Sequence, residues 1–155
     1  MTRNIHYSRR PQVTNARRGK TLLLPMPRAA ADELSLQIHL ALDAMRRGKG
    51  NVNTAQTLCQ AMILVGLLAD LGYGHATVGQ MRSAEAVISA AFDRGRDSGV
   101  WQLDDNGFTQ FAIIATMYDE QLRRAPMSAM AEASNRLDRF REGEPFGALA
   151  SPQRQ

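Results

Sequence analysis

Several things that would narrow the chemistry are missing from this chain. It has one cysteine, Cys59, in 155 residues. That excludes an intrachain disulfide framework and a cysteine-based zinc site. None of the glycine-rich phosphate loops, H-E-x-x-H or G-x-S-x-G is present. His6, His39 and His75 lie in three separate regions, so no metal-ligand spacing forms, and no metal and no cofactor are expected. Hydrophobic residues make up 44%, which argues against wholesale disorder. The first 20 residues are polar and basic with no apolar run, which argues against a signal peptide. The longest unbroken apolar run is Ala61 to Ala69, nine residues, well short of the roughly 20 that span a bilayer. A cytoplasmic protein without a membrane partner is the expectation.

Acid is also missing, but only locally. Residues 1–28 hold Arg3, Arg9, Arg10, Arg17, Arg18, Lys20 and Arg28 and no Asp or Glu. The remaining 12 Lys+Arg against 15 Asp+Glu leave the rest of the chain at −3. The high isoelectric point, about 9.8, therefore belongs to the arm. Arginine binds phosphate bidentately and stacks on bases, and basic N-terminal arms are a recurring route to nucleic acid. A solubilising tail has the same composition.

What is present is helical pattern. Thr54 to Leu71, TAQTLCQAMILVGLLADL, is apolar almost all round, so it predicts a helix enclosed by others. Asn53 or Thr54 is expected to cap it, and Gly72 to stop it. A first helix is expected from about Arg28 to Arg47, with Leu34, Ile38, Leu42 and Met45 inward and Leu36 and Leu40 widening the stripe. Its acids Asp32 and Glu33 then fall in the first turn, and Arg46 and Arg47 in the last, matching the macrodipole. His39 and Asp43, four residues apart, are expected to bond locally. Cys59 is expected to be an inert buried thiol.

Thr77 with Gln80 fits a capping box for a third helix, about Val78 to Asp97. Its inward side chains would be Val78, Met81, Ala84, Ile88, Ala91 and Phe92, and Gly95 would let its last turn fray. Asp104 and Asp105 read as caps of a fourth helix, about Asp105 to Arg124, rather than metal ligands. Its stripe is Phe108, Phe111, Ala115, Tyr118 and Leu122, with Ile114 beside it. Pro126 opens a fifth helix, with Met130, Ala133, Leu137 and Phe140 inward, stopping at Gly143. Its outer face mixes Arg136, Arg139 and Arg141 with Glu132, Asp138 and Glu142, a paired, solvated pattern. Two helix pairs are candidates for a helix-turn-helix. The second–third link is longer than that motif's usual turn, and the fifth helix is too acidic for a basic recognition helix.

The expected organisation is a basic flexible arm over 1–20, an all-α domain of about five helices over 21–143 around the helix at 54–71, and a polar tail over 144–155. Thr21 to Pro27, TLLLPMP, cannot form a regular helix throughout because of Pro25 and Pro27, and is expected to lie extended across the bundle. The expected function is a small non-enzymatic regulatory or accessory protein that contacts nucleic acid, with Arg3, Arg9, Arg10, Arg17, Arg18 and Lys20 as the contacts. The alternative is a protein-binding adaptor or inhibitor, possibly self-associating as a homo-oligomer, with Leu22, Leu23, Leu24 and Trp101 at the interface. A third reading, an enzyme, requires polar groups from the 73–77 and 101–107 loops to converge on one pocket.

The phrases LPMPRAAADEL, LADLGYG, WQLDDNGF, and YDEQLRRAP followed by RLDRFREGE resemble a set of short proteobacterial proteins. These are common near mobile elements and carry the label of Fis-family transcriptional regulators. The resemblance spans about residues 22–144. Its label implies a C-terminal helix-turn-helix with a basic recognition helix, and it raises the expectation of DNA binding without marking any functional residue.

Overall fold

The computed structural model describes residues 17–143. Arg3, Arg9 and Arg10, and the 144–155 tail, lie outside the described residues. Five long helices follow one another: α1 Arg28–Arg46, α2 Val52–Asp70, α3 Val78–Ser98, α4 Asp105–Arg124 and α5 Met127–Arg141. Residues 17–22 are also helical. The all-α expectation is met.

α2 is the axis of the bundle. Ala55, Leu58, Val65, Leu67 and Leu68 are fully buried, and α1, α3, α4 and α5 all pack against this helix. α4 also packs against α1 and α3, so those three form a continuous wall, while α2 is the one long helix whose backbone α5 approaches closely. By length and hydropathy (mean 1.4 over its most apolar stretch) α2 also meets the criterion for a membrane span, which its unbroken run of nine apolar residues does not reveal. Packing by four neighbouring helices is what a core helix of this composition requires.

The ends of α2 are fixed by local chemistry. Asn51, not Asn53 or Thr54, is the N-cap. Its side chain accepts from the Thr54 N–H at 3.0 Å, and the Thr54 hydroxyl accepts from the Asn51 N–H at 2.9 Å. At the other end Tyr73 N–H donates to Leu68 O and Gly72 N–H to Ala69 O, a Schellman stop with Gly72 at φ 93. The Thr77/Gln80 capping box forms as expected, and Asp104 caps α4 by accepting from Gly107 N–H at 2.7 Å.

Several expectations are corrected. α1 starts at Arg28, so its first turn holds no acid; Asp32 lies one turn on and faces Arg28 at 3.8 Å. Leu36 and Leu40 are exposed, because α4 and α2 leave that flank of α1 uncovered. Val78 is 68% exposed, since it opens α3 beyond the reach of α2. Gly95 does not fray. It is buried inside α3, and a Cβ there would collide with the Trp101 indole. The Thr21–Pro27 segment is neither helical throughout nor fully extended. It leaves the helical turn at 22, then pairs with the start of α5 through a Pro25–Pro126 bridge and a Met127 N–H to Leu24 O bond of 2.8 Å. The expected boundary at residue 20 falls inside the helical stretch 17–22.

Candidate functional sites

Four places bring together side chains that could act. The first is the described part of the basic arm. Arg17, Arg18 and Lys20 are exposed on the helical stretch 17–22, where the Thr21 hydroxyl donates to Arg17 O at 2.9 Å. None of the three forms an ion pair among the described residues. Leu22, Leu23 and Leu24 follow at once and are all exposed, Leu23 by 73%. Met26 is half-buried against the core and anchors this basic-then-apolar strip to the bundle.

Several cations of the bundle are engaged within it. Arg47 pairs with Asp43 at 3.0 Å, Arg96 with Asp93 at 2.9 Å and Arg136 with Glu132 at 2.9 Å. The Arg46 guanidinium lies over the Phe108 ring, 4.1 Å from its centre, where the ring quadrupole attracts it. Arg94 donates to Gln102 O at 2.7 Å. The Arg46–Arg47 cluster is thus a helix end tied into the fold.

That end is closed by the loop carrying Trp101. Leu103 N–H donates to Met45 O at 2.9 Å, satisfying a terminal carbonyl of α1. The Trp101 ring lies on Gly95 and meets Phe92 edge-to-face, centroids 5.7 Å apart and planes at 88°. Trp101 remains half-exposed, but its ring is committed to α3. The other loop, 73–77, is remote from it. Gly74 lies against Gln121, near the C-terminal end of α4, whereas 101–104 leads into the N-terminus. A helix of 20 residues separates its ends by about 30 Å, so the two loops do not converge on one pocket.

The second place is a polar cluster between α1 and α4. Ser35 Oγ donates to Asp119 Oδ1 at 2.6 Å, and His39 Nε2 meets Asp119 Oδ2 at 2.8 Å. His39 therefore reaches across to α4 rather than to Asp43, whose carboxylate is taken by Arg47. Sequence spacing offered no sign of this partner, 80 residues away. The three residue types are those of a hydrolytic triad, but the order is wrong. In a triad the histidine touches the serine oxygen and the carboxylate orients the histidine. Here the carboxylate sits between the other two and receives both, which makes the cluster a clasp between two helices.

The third place is a cleft where the cage around α2 is open. α3 and α5 flank α2 with their backbones held apart, and Phe140 of α5 lines the gap. The cleft of about 320 Å³ between them is lined by Cys59, Met62, Ile63, Met81, Ile88 and Phe92, with Glu85 at its rim. Cys59 is half-buried rather than buried. Burial first, and the Glu85 carboxylate second, push its thiol above the ordinary range, so the nucleophilic thiolate is scarce at neutral pH.

The fourth is a groove of about 570 Å³ along the outer side of α4, walled by Gly74 and His75. Behind it lies Gln121, 2% exposed, whose Nε2 donates to Val65 O at 3.0 Å and Tyr73 O at 2.9 Å. This amide pins the 73–77 loop to α2; the apolar stripe of α4 gives no hint of it.

Among the described residues, no group of three or more His, Cys, Asp or Glu is placed to hold a metal ion. α4 and α5 are joined closely enough for a helix-turn-helix, through Ala125 and Pro126, but they do not pack on each other, as the two helices of that unit must. In comparisons with known proteins, no family model matches the chain, and neither a curated protein nor a solved structure matches it.

Proposed function

We propose that this is a small, non-enzymatic accessory protein of the nucleic-acid apparatus, whose basic N-terminal arm makes the contact while the helical bundle serves as its carrier. The observation behind this reading is where the exposed cations lie: those of the arm fall in a segment without acid, whereas the exposed Lys49, Arg82, Arg123, Arg124, Arg139 and Arg141 belong to a body that carries all 15 acids. Arg46, Arg47, Arg94, Arg96 and Arg136 of the bundle are occupied by carboxylates, a ring or a carbonyl. Arg17, Arg18 and Lys20 are exposed and unpaired among the described residues, and they continue a segment with no acid from residue 1 to residue 28. A cation held by an internal partner must give that partner up before it can bind phosphate; a free one need not.

The mechanism is phosphate neutralisation with counterion release. Each contact to duplex DNA should contribute about −0.9 to the slope of log affinity against log salt. The test is a fluorescence-anisotropy titration of the full chain with labelled duplex, single-stranded DNA and RNA over a range of salt. A steep negative slope supports the reading, and the preferred ligand identifies the target class. Absence of binding to all three at low salt contradicts it.

A second reading, a protein-binding adaptor, draws on a separate observation. Leu22, Leu23 and Leu24 stand exposed directly beside the basic residues. A strip that is basic and then apolar suits an acidic partner with an apolar margin. Alanine at the three leucines separates the readings, since it should abolish docking on such a partner and leave a phosphate-driven, salt-sensitive interaction intact.

A further inference from the structure

The outer face of α4 has a symmetry that its packing inside one molecule does not explain. The residues along the groove are Thr109, Ala112, Ile113, Thr116, Met117, Glu120 and Arg124, with Asp105 extending the same face by one turn. They recur at helical spacing on the side opposite Phe111, Ile114, Tyr118 and Leu122, which are buried. In two helices that run antiparallel about a two-fold axis, residues whose numbers share one sum stand opposite each other.

With the axis set midway along α4, this face can be paired with itself. Asp105 falls opposite Arg124, Thr109 opposite Glu120, Ala112 opposite Met117, and Ile113 opposite Thr116. Acid meets base at both ends, and the smallest side chain meets the longest apolar one. The axis passes between Ile114 and Ala115, midway along the helix.

The macrodipole accounts for an acid in the first turn and a base in the last. It does not account for the inner pairs, nor for a groove rather than a convex face. Neither Asp105 nor Arg124 forms an ion pair among the described residues, so neither charge is already neutralised by an internal partner.

We propose that the outer face of α4 is the interface of a two-fold homodimer, in which two copies of the helix lie antiparallel and Asp105 pairs with Arg124 of the partner subunit. An isologous contact requires a self-complementary patch, and this face meets that requirement in charge and size together. A single helix face is smaller than the roughly 800 Å² per partner of a standard interface, so the dimer should be weak and concentration-dependent. It would bring two basic arms to one target, raising avidity. The proposal does not depend on what those arms bind.

The test is sedimentation of the full chain up to millimolar concentration, for wild type, Arg124→Glu, Asp105→Arg and the double swap. Circular-dichroism melting serves as the control for folding. Each single reversal places like charges opposite each other twice per dimer and should weaken association about tenfold. The double swap restores opposite charges and should recover most of the loss. A wild type that stays monomeric overturns the proposal. So do single reversals without effect on a dimer, or a double swap as weak as the single variants. Recovery in the double swap cannot come from damage to the fold, because both substitutions are present in it.

Discussion

The two ends of the basic complement behave oppositely. Arg46, Arg47, Arg94 and Arg96 each have a partner within the bundle, whereas Arg17, Arg18 and Lys20 have none among the described residues. Both groups are clusters of positive charge in the sequence. The paired bundle cations sit near helix ends or three to four residues from an acid, where local geometry supplies a partner, and the exposed ones without an ion pair, such as Arg82 and Arg124, still lie on a body that carries all 15 acids. The arm has no acid within reach in sequence and no helix end of the bundle to complement. On the proposed reading, replacing the paired cations of the bundle should alter stability and leave nucleic-acid binding in place, and replacing those of the arm should do the reverse.

The largest effect is expected from Leu67→Ala, at a fully buried position of α2. It should cost about 2–5 kcal/mol by denaturant unfolding, while the fraction still folded binds nucleic acid as before. Gly95→Ala comes next, because a Cβ there displaces the Trp101 indole. Overpacking of this kind costs about 1–3 kcal/mol, and near-ultraviolet circular dichroism should report a disturbed tryptophan. Replacing Arg17, Arg18 and Lys20 together by alanine should leave the melting temperature in place and shallow the salt slope by up to about 2.7, three contacts' worth. Arg47→Ala and Arg96→Ala should move stability by less than about 0.5 kcal/mol, as exposed i,i+4 and i,i+3 pairs do, and should not change the slope.

The smallest effect is on pH dependence. Burial raises the Cys59 thiol and, more than the neighbouring Asp119 does, the Tyr118 hydroxyl. A raised folded value means the native state holds its proton longer than the unfolded chain. The stability from each group is complete below its unfolded value, about 8.5 for cysteine and about 10 for tyrosine, and is lost as pH rises through the folded value. Stability should thus decline gradually on the alkaline side, and Cys59→Ala should flatten the first part of that decline.

The bundle was readable because its main signal is one-dimensional. The run from Ala61 to Ala69 requires enclosure wherever its neighbours lie, and Thr77/Gln80, Asp104 and Gly72 mark helix ends by chemistry confined to three or four residues. What escaped the sequence depends on which elements meet. The side on which α4 packs decides that Leu36 and Leu40 of α1 stay in water. The partner of His39 is on another helix, so spacing pointed to Asp43 instead. Gly95 resembles a breaker until Trp101 is seen to lie on it. Gln121 looks like a polar residue on an amphipathic helix, yet it is buried because two backbone carbonyls need a donor. Of the candidate contacts in the arm, Arg3, Arg9 and Arg10 fall outside the described residues, so their weight in the proposal comes from charge alone.

The most direct measurement is a salt-dependent anisotropy titration comparing the full chain with a chain in which Arg3, Arg9, Arg10, Arg17, Arg18 and Lys20 are all glutamine. Uncharged side chains at those six positions should abolish binding at every salt concentration while the melting curve stays unchanged. Binding that persists with the same salt slope would place the contact on the bundle and contradict the division between carrier and arm.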